Sequence, residues 1–299
     1  MSPVLDLDDL LRRTSRTFAL AIPLLDEPTR REVGLAYLLF RIADSFEDES
    51  RWPKELRRAC LLELSDVLDR KRDAAEVVAG WGRHPKLHDA SCADLVAQTV
   101  GVIGELDACG DAASAIVRKH VRRTALGMAE VVESTDERGE LVVTDVAGLK
   151  KYCYIVAGIV GEMLTELFVL DAPQLRAVSD ALDADAATFG EGLQLVNILK
   201  DAGGDVTEGR SFLPAGVPLS ELFGLARRDL ARATEYVRVL HGAGAPRGTV
   251  AFTALPVMLA FSALDAVESK GSGAKVARDE VMRMYEQLMN DLERGVLPL

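Results

Sequence analysis

The stretch Gln194-Leu-Val-Asn-Ile-Leu-Lys-Asp-Ala-Gly-Gly-Asp205 carries Gln194, Asn197, Asp201 and Asp205 at steps of three, four and four through a largely apolar run. That spacing is one face of an α-helix. A second stretch, Tyr37-Leu-Leu-Phe-Arg-Ile-Ala-Asp-Ser-Phe-Glu-Asp48, places Tyr37, Arg41, Asp44 and Asp48 in the same way, at steps of four, three and four. A helix that turns two carboxylates into its own apolar surround pays heavily unless a cation answers them. The duplication suggests two halves of one cage for divalent metal and an anion. Oxygen ligands suit Mg²⁺, which takes one or two carboxylates and fills its shell with water and phosphate oxygens. Arg41, one turn from the acids, can grip phosphate with its planar fork. One Asp pair at this spacing is equally a solvated helix face, and Gly203-Gly204 could end the second helix near Asp201. Two polar rows embedded in apolar sequence are harder to assign to solvent.

Composition sets the frame. A chain of 299 residues, 48% hydrophobic, can bury a large core. Ala, Leu and Val dominate and aromatics are few, which favours helix over sheet. The formal net charge of −12 argues against nucleic acid as a partner through a broad basic surface. It leaves a phosphorylated substrate open, because bound metal inverts the sign of a site. Cys60, Cys92, Cys109 and Cys153 are scattered without CxxC spacing and read as free thiols in a reducing compartment. Residues 1–14 show no signal peptide, no uninterrupted apolar run reaches membrane-spanning length, and Met284–Leu299 is too charged for an anchor. A cytoplasmic protein, free to touch a membrane surface, is the expectation.

Periodicity predicts helices over Leu5–Phe18, Thr29–Glu47, Lys54–Lys71, Asp94–Ala108, Ala112–Glu133, Val146–Leu170, Gln174–Ala181 and Asp185–Lys200, then over residues 219–241, 247–268 and 276–294. Residues 80–91 and 208–214 read as loops, residues 134–144 as a polar connection with a short β-branched patch, and 269–273 as a flexible join. No alternating strand and no short repeat stands out. One all-α domain spanning 1–299 is the plain reading.

Five blocks in order then carry a resemblance. Ser15-Arg-Thr-Phe18, the 37–48 stretch, Tyr152-Cys-Tyr-Ile-Val-Ala-Gly-Ile-Val-Gly161, the 194–205 stretch and Gly209-Arg-Ser-Phe-Leu-Pro214 together resemble the squalene/phytoene synthase family, over about residues 10 to 290. The resemblance implies the all-α isoprenoid synthase fold, a single helical domain around a central cavity. It implies prenyl diphosphate substrates joined head to head with Mg²⁺-assisted diphosphate loss, through a cyclopropylcarbinyl diphosphate. The last cation is quenched by hydride from NADPH, by proton loss or by water. It further implies Asp44, Asp48, Asp201 and Asp205, with Asn197, as metal ligands. Ser15, Arg16, Tyr37, Arg41, Gln194, Asn197 and Arg210 match substrate-binding positions. Tyr152 matches a tyrosine beside the reacting carbons, where its ring can stabilise a cation. Without the resemblance, Tyr152 reads as core and Arg16 and Arg210 as surface charges.

Gly158 and Gly161 either allow close helix packing or leave space for a prenyl chain. Phe18, Val156, Val160, Phe189 and Leu193 are pocket-wall candidates whose default is ordinary core. The four histidines show no ligand spacing. Two departures stand out: Lys200 where the family favours arginine, losing the fork, and Gly203-Gly204 inside the second motif. Lys275 falls near where the squalene enzymes use a basic loop toward NADPH, and reads equally as a surface lysine. The first motif looks closer to squalene synthases, and Tyr152-Cys-Tyr with Val160-Gly-Glu-Met163 closer to dehydrosqualene and phytoene synthases. The preferred reading is a squalene synthase-like enzyme using farnesyl diphosphate, with phytoene synthase and geranylgeranyl diphosphate as the alternative. A non-catalytic helical binding protein, or a head-to-tail or cyclising terpene enzyme, are the readings of another kind.

Overall fold

The computed structural model describes residues 6–15, 18–136, 141–207 and 210–299, without the side chains of 205–207 and 210. Among these residues lie fourteen α-helices: α1 (Leu7–Thr14), α2 (Phe18–Ala21), α3 (Thr29–Glu47), α4 (Lys54–Leu68), α5 (Ala74–Trp81), α6 (Ala90–Ala97), α7 (Thr99–Asp107), α8 (Asp111–Glu133), α9 (Val146–Cys153), α10 (Ile159–Asp171), α11 (Ser179–Thr207), α12 (Leu219–Gly242), α13 (Arg247–Lys270) and α14 (Arg278–Glu293). They form two compact units, one comprising α1–α8 and one comprising α9–α14 together with Leu24–Asp26.

In the first unit α3 packs on α8, α4, α7 and α1, and α4 runs along α8. The apolar stripe of α3 supplies Leu38, Leu39, Ile42 and Phe46, all fully buried. Phe46 closes against Trp81 edge-on, with ring centroids 4.8 Å apart. This burial, at about 25 cal/mol per Å² of apolar surface, is what holds α3 and its acidic face in place.

In the second unit α11 is the hub, packed by α12, α10, α13, α9 and a π-helical turn, Tyr154–Gly158, that joins α9 to α10. The crossing of α11 with this α9–α10 segment is glycine-mediated. A Cβ at Gly161 would sit 1.9 Å from the Ala186 carbonyl oxygen, and one at Gly190 would sit 2.0 Å from that of Ala157. Gly161 therefore serves backbone-to-backbone packing. Gly158 is filled by its neighbours: a Cβ there would meet Tyr154 Cδ2 at 2.8 Å and Glu191 at 3.3 Å. Phe189 is core, its ring tilted against that of the fully buried Tyr236 with centroids 5.1 Å apart.

Several elements differ from the sequence expectation. A helix over Ala74–Trp81 forms where none is expected, and Asp94–Ala108 is two helices, broken at Gln98. Capping sets the starts of α5 and α6: Asp73 accepts from the Glu76 amide at 2.9 Å, and Asp89 accepts from the Cys92 amide at 2.9 Å, satisfying orphan donors of the first turns, whereas Gln98 opens α7 without a side-chain cap. Residues 173–178 are a 3₁₀ turn opening on Pro173 and leading into α11, which starts at Ser179 and continues through Gly203-Gly204 to Thr207. The connection and the loop also pair: Leu141–Val142 (β1) and Arg210–Ser211 (β2) form a two-residue parallel ladder. Val146–Asp171 and Arg247–Lys270 are long and apolar enough to cross a membrane, contrary to the expectation drawn from uninterrupted runs. More than half of each apolar window is buried inside the protein, and Phe168 and Phe252 meet between them at 6.2 Å.

Gly190→Ala should lower the melting temperature by the equivalent of about 1–3 kcal/mol, because the added methyl meets backbone that cannot swing away. Gly104→Ala in α7, with open space around it, should be neutral or stabilising by up to about 1 kcal/mol. Thermal unfolding by circular dichroism compares them; equal melting temperatures would contradict the crossing.

Candidate functional site

The first acidic motif is a half-buried edge of α3 that opens to solvent at Asp48. Tyr37 donates to the Thr14 carbonyl oxygen at 2.9 Å, tying α3 to the end of α1, and its ring packs on Phe18 at 5.6 Å. Burial pushes its hydroxyl above the ordinary phenol value, against a hydrogen bond to Ser15 and the nearby Arg41. Ser15 also accepts from the Ala19 amide at 3.2 Å. One turn on, Arg41 Nη1 lies 3.7 Å from Asp44 Oδ2 and 3.9 Å from Asp48 Oδ2, a single guanidinium shared by two carboxylates at ion-pair distance. Arg41 Nε is buried without a hydrogen-bond partner among the described residues. Burial and the neighbouring Asp48 push Asp44 up to about 7, against the pull of Arg41. Its side chain still presents 36% of its surface, so an ion can reach it. Burial alone would lower the Arg41 value, but Asp44, Cys92 and Asp48 together carry it above that of a free guanidinium. The end of α3 is pinned by the buried Glu49, which accepts from Arg51 and from the His88 amide.

The second motif belongs to the other unit. Along α11, Lys200 Nζ donates to Asn197 Oδ1 at 3.1 Å and lies 3.3 Å from Asp201 Oδ2. Asp201 is 56% exposed, Asn197 is exposed and Gln194 is half-buried. Tyr152 is buried and its ring lies 4.5 Å from that of Phe212, just past β2, so the Tyr152 block and the 209–214 block meet. Val156, Val160 and Leu193 are half-buried. Arg16 lies outside the described residues, as do the side chains of Asp205 and Arg210.

Two carboxylates against one guanidinium leave the 37–48 face with an excess negative charge in an apolar surround. That donor set fits Mg²⁺, which needs only one or two carboxylates. Among the described residues no group of three or more Asp, Glu, His or Cys side chains gathers as a protein-only cage, so water and phosphate oxygens would have to complete each shell. All four cysteines are free thiols. Burial, then Glu191 and Asp229, push Cys153 up to about 12, which leaves it unreactive. Two neighbours of the site were given no role from the sequence, Cys92 beside Arg41 and Ser272, which bonds from the α13–α14 connection to the turn of α11 that carries Asp201; Phe212, inside the 209–214 block, packs on Tyr152. For Ser272 the signal was present in its two flanking glycines.

Residues 11–242 match the family described as squalene/phytoene synthase. The chain belongs to that family. Among its relatives the squalene synthase of Candida albicans is 30% identical over 69% of this chain and 44% of its own length. The squalene synthase of Botryococcus braunii is 27% identical over 74% of this chain, again 44% of its own length. The chain thus spans less than half of these curated relatives. Among solved structures, the complex of TcSQS with the ligand BPH1237 superposes with a TM-score of 0.78 at 23% identity, covering 94% of this chain and 84% of that one. The fold is the all-α isoprenoid synthase fold of this family. The family match spans Asp44, Asp48, Asp201 and Asp205 alike.

The elevated Asp44 has a measurable consequence. A free carboxyl of this type titrates near 3.8 and this one at about 7, so its charge costs stability. The cost is absent below the lower value, grows between the two and is complete above the higher. Without divalent ions, Asp44→Asn should therefore be more stable than the parent at pH 8 by about 1 kcal/mol, allowing for solvent screening of a partly exposed group. The gap should shrink at pH 5.5. Thermal unfolding at the two pH values checks this, and a variant less stable than the parent at pH 8 would contradict it.

Proposed function

We propose that the protein joins two allylic prenyl diphosphates head to head, with farnesyl diphosphate the favoured substrate, to give squalene or a related C30 product. The observation that carries this reading is the charged face of α3, where one guanidinium lies at ion-pair distance from two carboxylates. Family membership and the squalene synthases among the relatives support the reaction class.

Mg²⁺ bound through Asp44, Asp48, Asn197, Asp201 and Asp205 would neutralise the charge that a departing diphosphate gathers. The chain's own groups do the remaining work. Arg41 offers its fork to phosphate oxygens, joined by Ser15, Arg16, Tyr37, Gln194 and Arg210. Ionisation breaks the allylic C–O bond of one substrate, and the electron pair leaves with the diphosphate. The double bond of the second substrate attacks the cation, and proton loss closes the cyclopropane ring of presqualene diphosphate. The Tyr152 ring stabilises developing positive charge and its hydroxyl steers the proton. A second ionisation rearranges the ring, and in the squalene reading NADPH would supply the hydride that the last cation needs. An apolar C30 product calls for release at a lipid surface, so peripheral membrane contact of a cytoplasmic enzyme belongs to the same reading.

Farnesyl and geranylgeranyl diphosphate, offered separately with Mg²⁺, with and without NADPH, and analysed by mass spectrometry, test it. The expected outcome is a C30 product from farnesyl diphosphate that disappears with EDTA. A C40 product from geranylgeranyl diphosphate would shift the reading to phytoene synthase. Folded protein that releases no diphosphate from either would point to a binding role. Asp48→Ala and Asp201→Ala should each cut turnover by roughly a hundredfold or more while leaving the circular dichroism spectrum unchanged. Near-parent rates in either variant would refute the assignment.

A further inference from the structure

We infer that Ser272 is a positioning residue for the second acidic motif: the α13–α14 connection splints the turn of α11 that carries Asp201. The inference rests on the functional reading above for what Asp201 does, but on geometry for how it is held.

Three hydrogen bonds make the splint. Ser272 Oγ donates to the Lys200 carbonyl oxygen at 3.0 Å and accepts from the Gly203 amide at 2.9 Å. The Gly273 amide donates to the same Lys200 carbonyl at 2.7 Å. The contacts bridge about seventy residues of sequence and bracket Asp201 on both sides. Gly271 and Gly273 adopt φ of 89° and 85°, a region other residues rarely enter. They present the hydroxyl of Ser272 from a tight turn.

The motif needs such support. Two adjacent glycines in a helix cost roughly 1 kcal/mol each relative to alanine, yet α11 continues through Gly203-Gly204 to Thr207. Asp201 is more than half exposed, so side-chain packing does little to fix it. Its position has to come from the backbone. Gly203, bare of a side chain, leaves its amide open to Ser272, and a Cβ there would already touch Oγ at 3.4 Å. The gripped residue also reaches the candidate ligands directly, since Lys200 Nζ contacts both Asn197 and Asp201. A shift of the Lys200 backbone would move both.

Ser272→Ala and Ser272→Thr separate positioning from bulk stability. Calorimetric titration with Mg²⁺ and inorganic diphosphate, and hydrogen exchange of amides 201–205, are the two readouts. The alanine variant should bind roughly tenfold more weakly and exchange several-fold faster at 201–205, with exchange in α8 unchanged and the melting temperature within a few degrees. Threonine, which keeps the hydroxyl, should restore both. If the alanine variant fails to fold, Ser272→Cys takes its place with the same readouts. Parent-like binding or parent-like exchange in the alanine variant overturns the splint alone. A parent that takes up no magnesium–diphosphate overturns the functional reading and the positioning role with it.

Discussion

One guanidinium shared by two carboxylates on the half-buried edge of α3 is the constraint from which the rest follows. Apolar burial fixes α3 through Leu38, Leu39, Ile42 and Phe46, and the charged side chains are carried along on the opposite edge. Arg41 offsets part of the repulsion between Asp44 and Asp48 and leaves part of it standing. A protein selected for stability alone would replace such a face with neutral residues, since buried ion pairs seldom outperform apolar packing. The residual charge is what the proposed divalent ion would offset, and strongly shifted acids cluster at sites of that kind.

The second unit solves a different problem. Its hub, α11, has to lie close to the α9–α10 segment, and glycines at 161 and 190 let backbone meet backbone. The same helix then leaves the packed region and enters a stretch weakened by Gly203-Gly204. There the structure substitutes hydrogen bonds from a distant loop for packing. Rigid elements position functional groups better than loops do, and the proposed brace on Lys200 and Gly203 would hold the turn of α11 that carries Asp201.

Much of this was legible in the sequence because the strongest signals are periodic. The span of α3 follows its apolar repeat from Thr29 to Glu47, and Tyr37, Arg41, Asp44 and Asp48 share its less buried edge at the expected spacing. The failures share a physical cause: local capping and long-range support outweigh periodicity. Asp73 with Glu76 three positions on is a capping signature that marked α5 in advance, but the eight-residue helix behind it is too short for periodicity to register. Gln98 breaks a helix with neither Gly nor Pro, leaving nothing to read. Gly203-Gly204 read as a softened helix end because the compensating Ser272 lies some seventy residues away. Pairing of 141–142 with 210–211 is likewise invisible in two-residue strands.

The central claim is that both aspartate motifs hold metal against a diphosphate. Anomalous diffraction from crystals soaked with Mn²⁺ and a non-hydrolysable farnesyl diphosphate analogue tests it most directly. The account predicts metal peaks about 2.0–2.2 Å from oxygens of Asp44 or Asp48 and of Asp201 or Asp205. Diphosphate bound elsewhere, with neither motif showing a peak and both sets of carboxylates turned to bulk water, would contradict it.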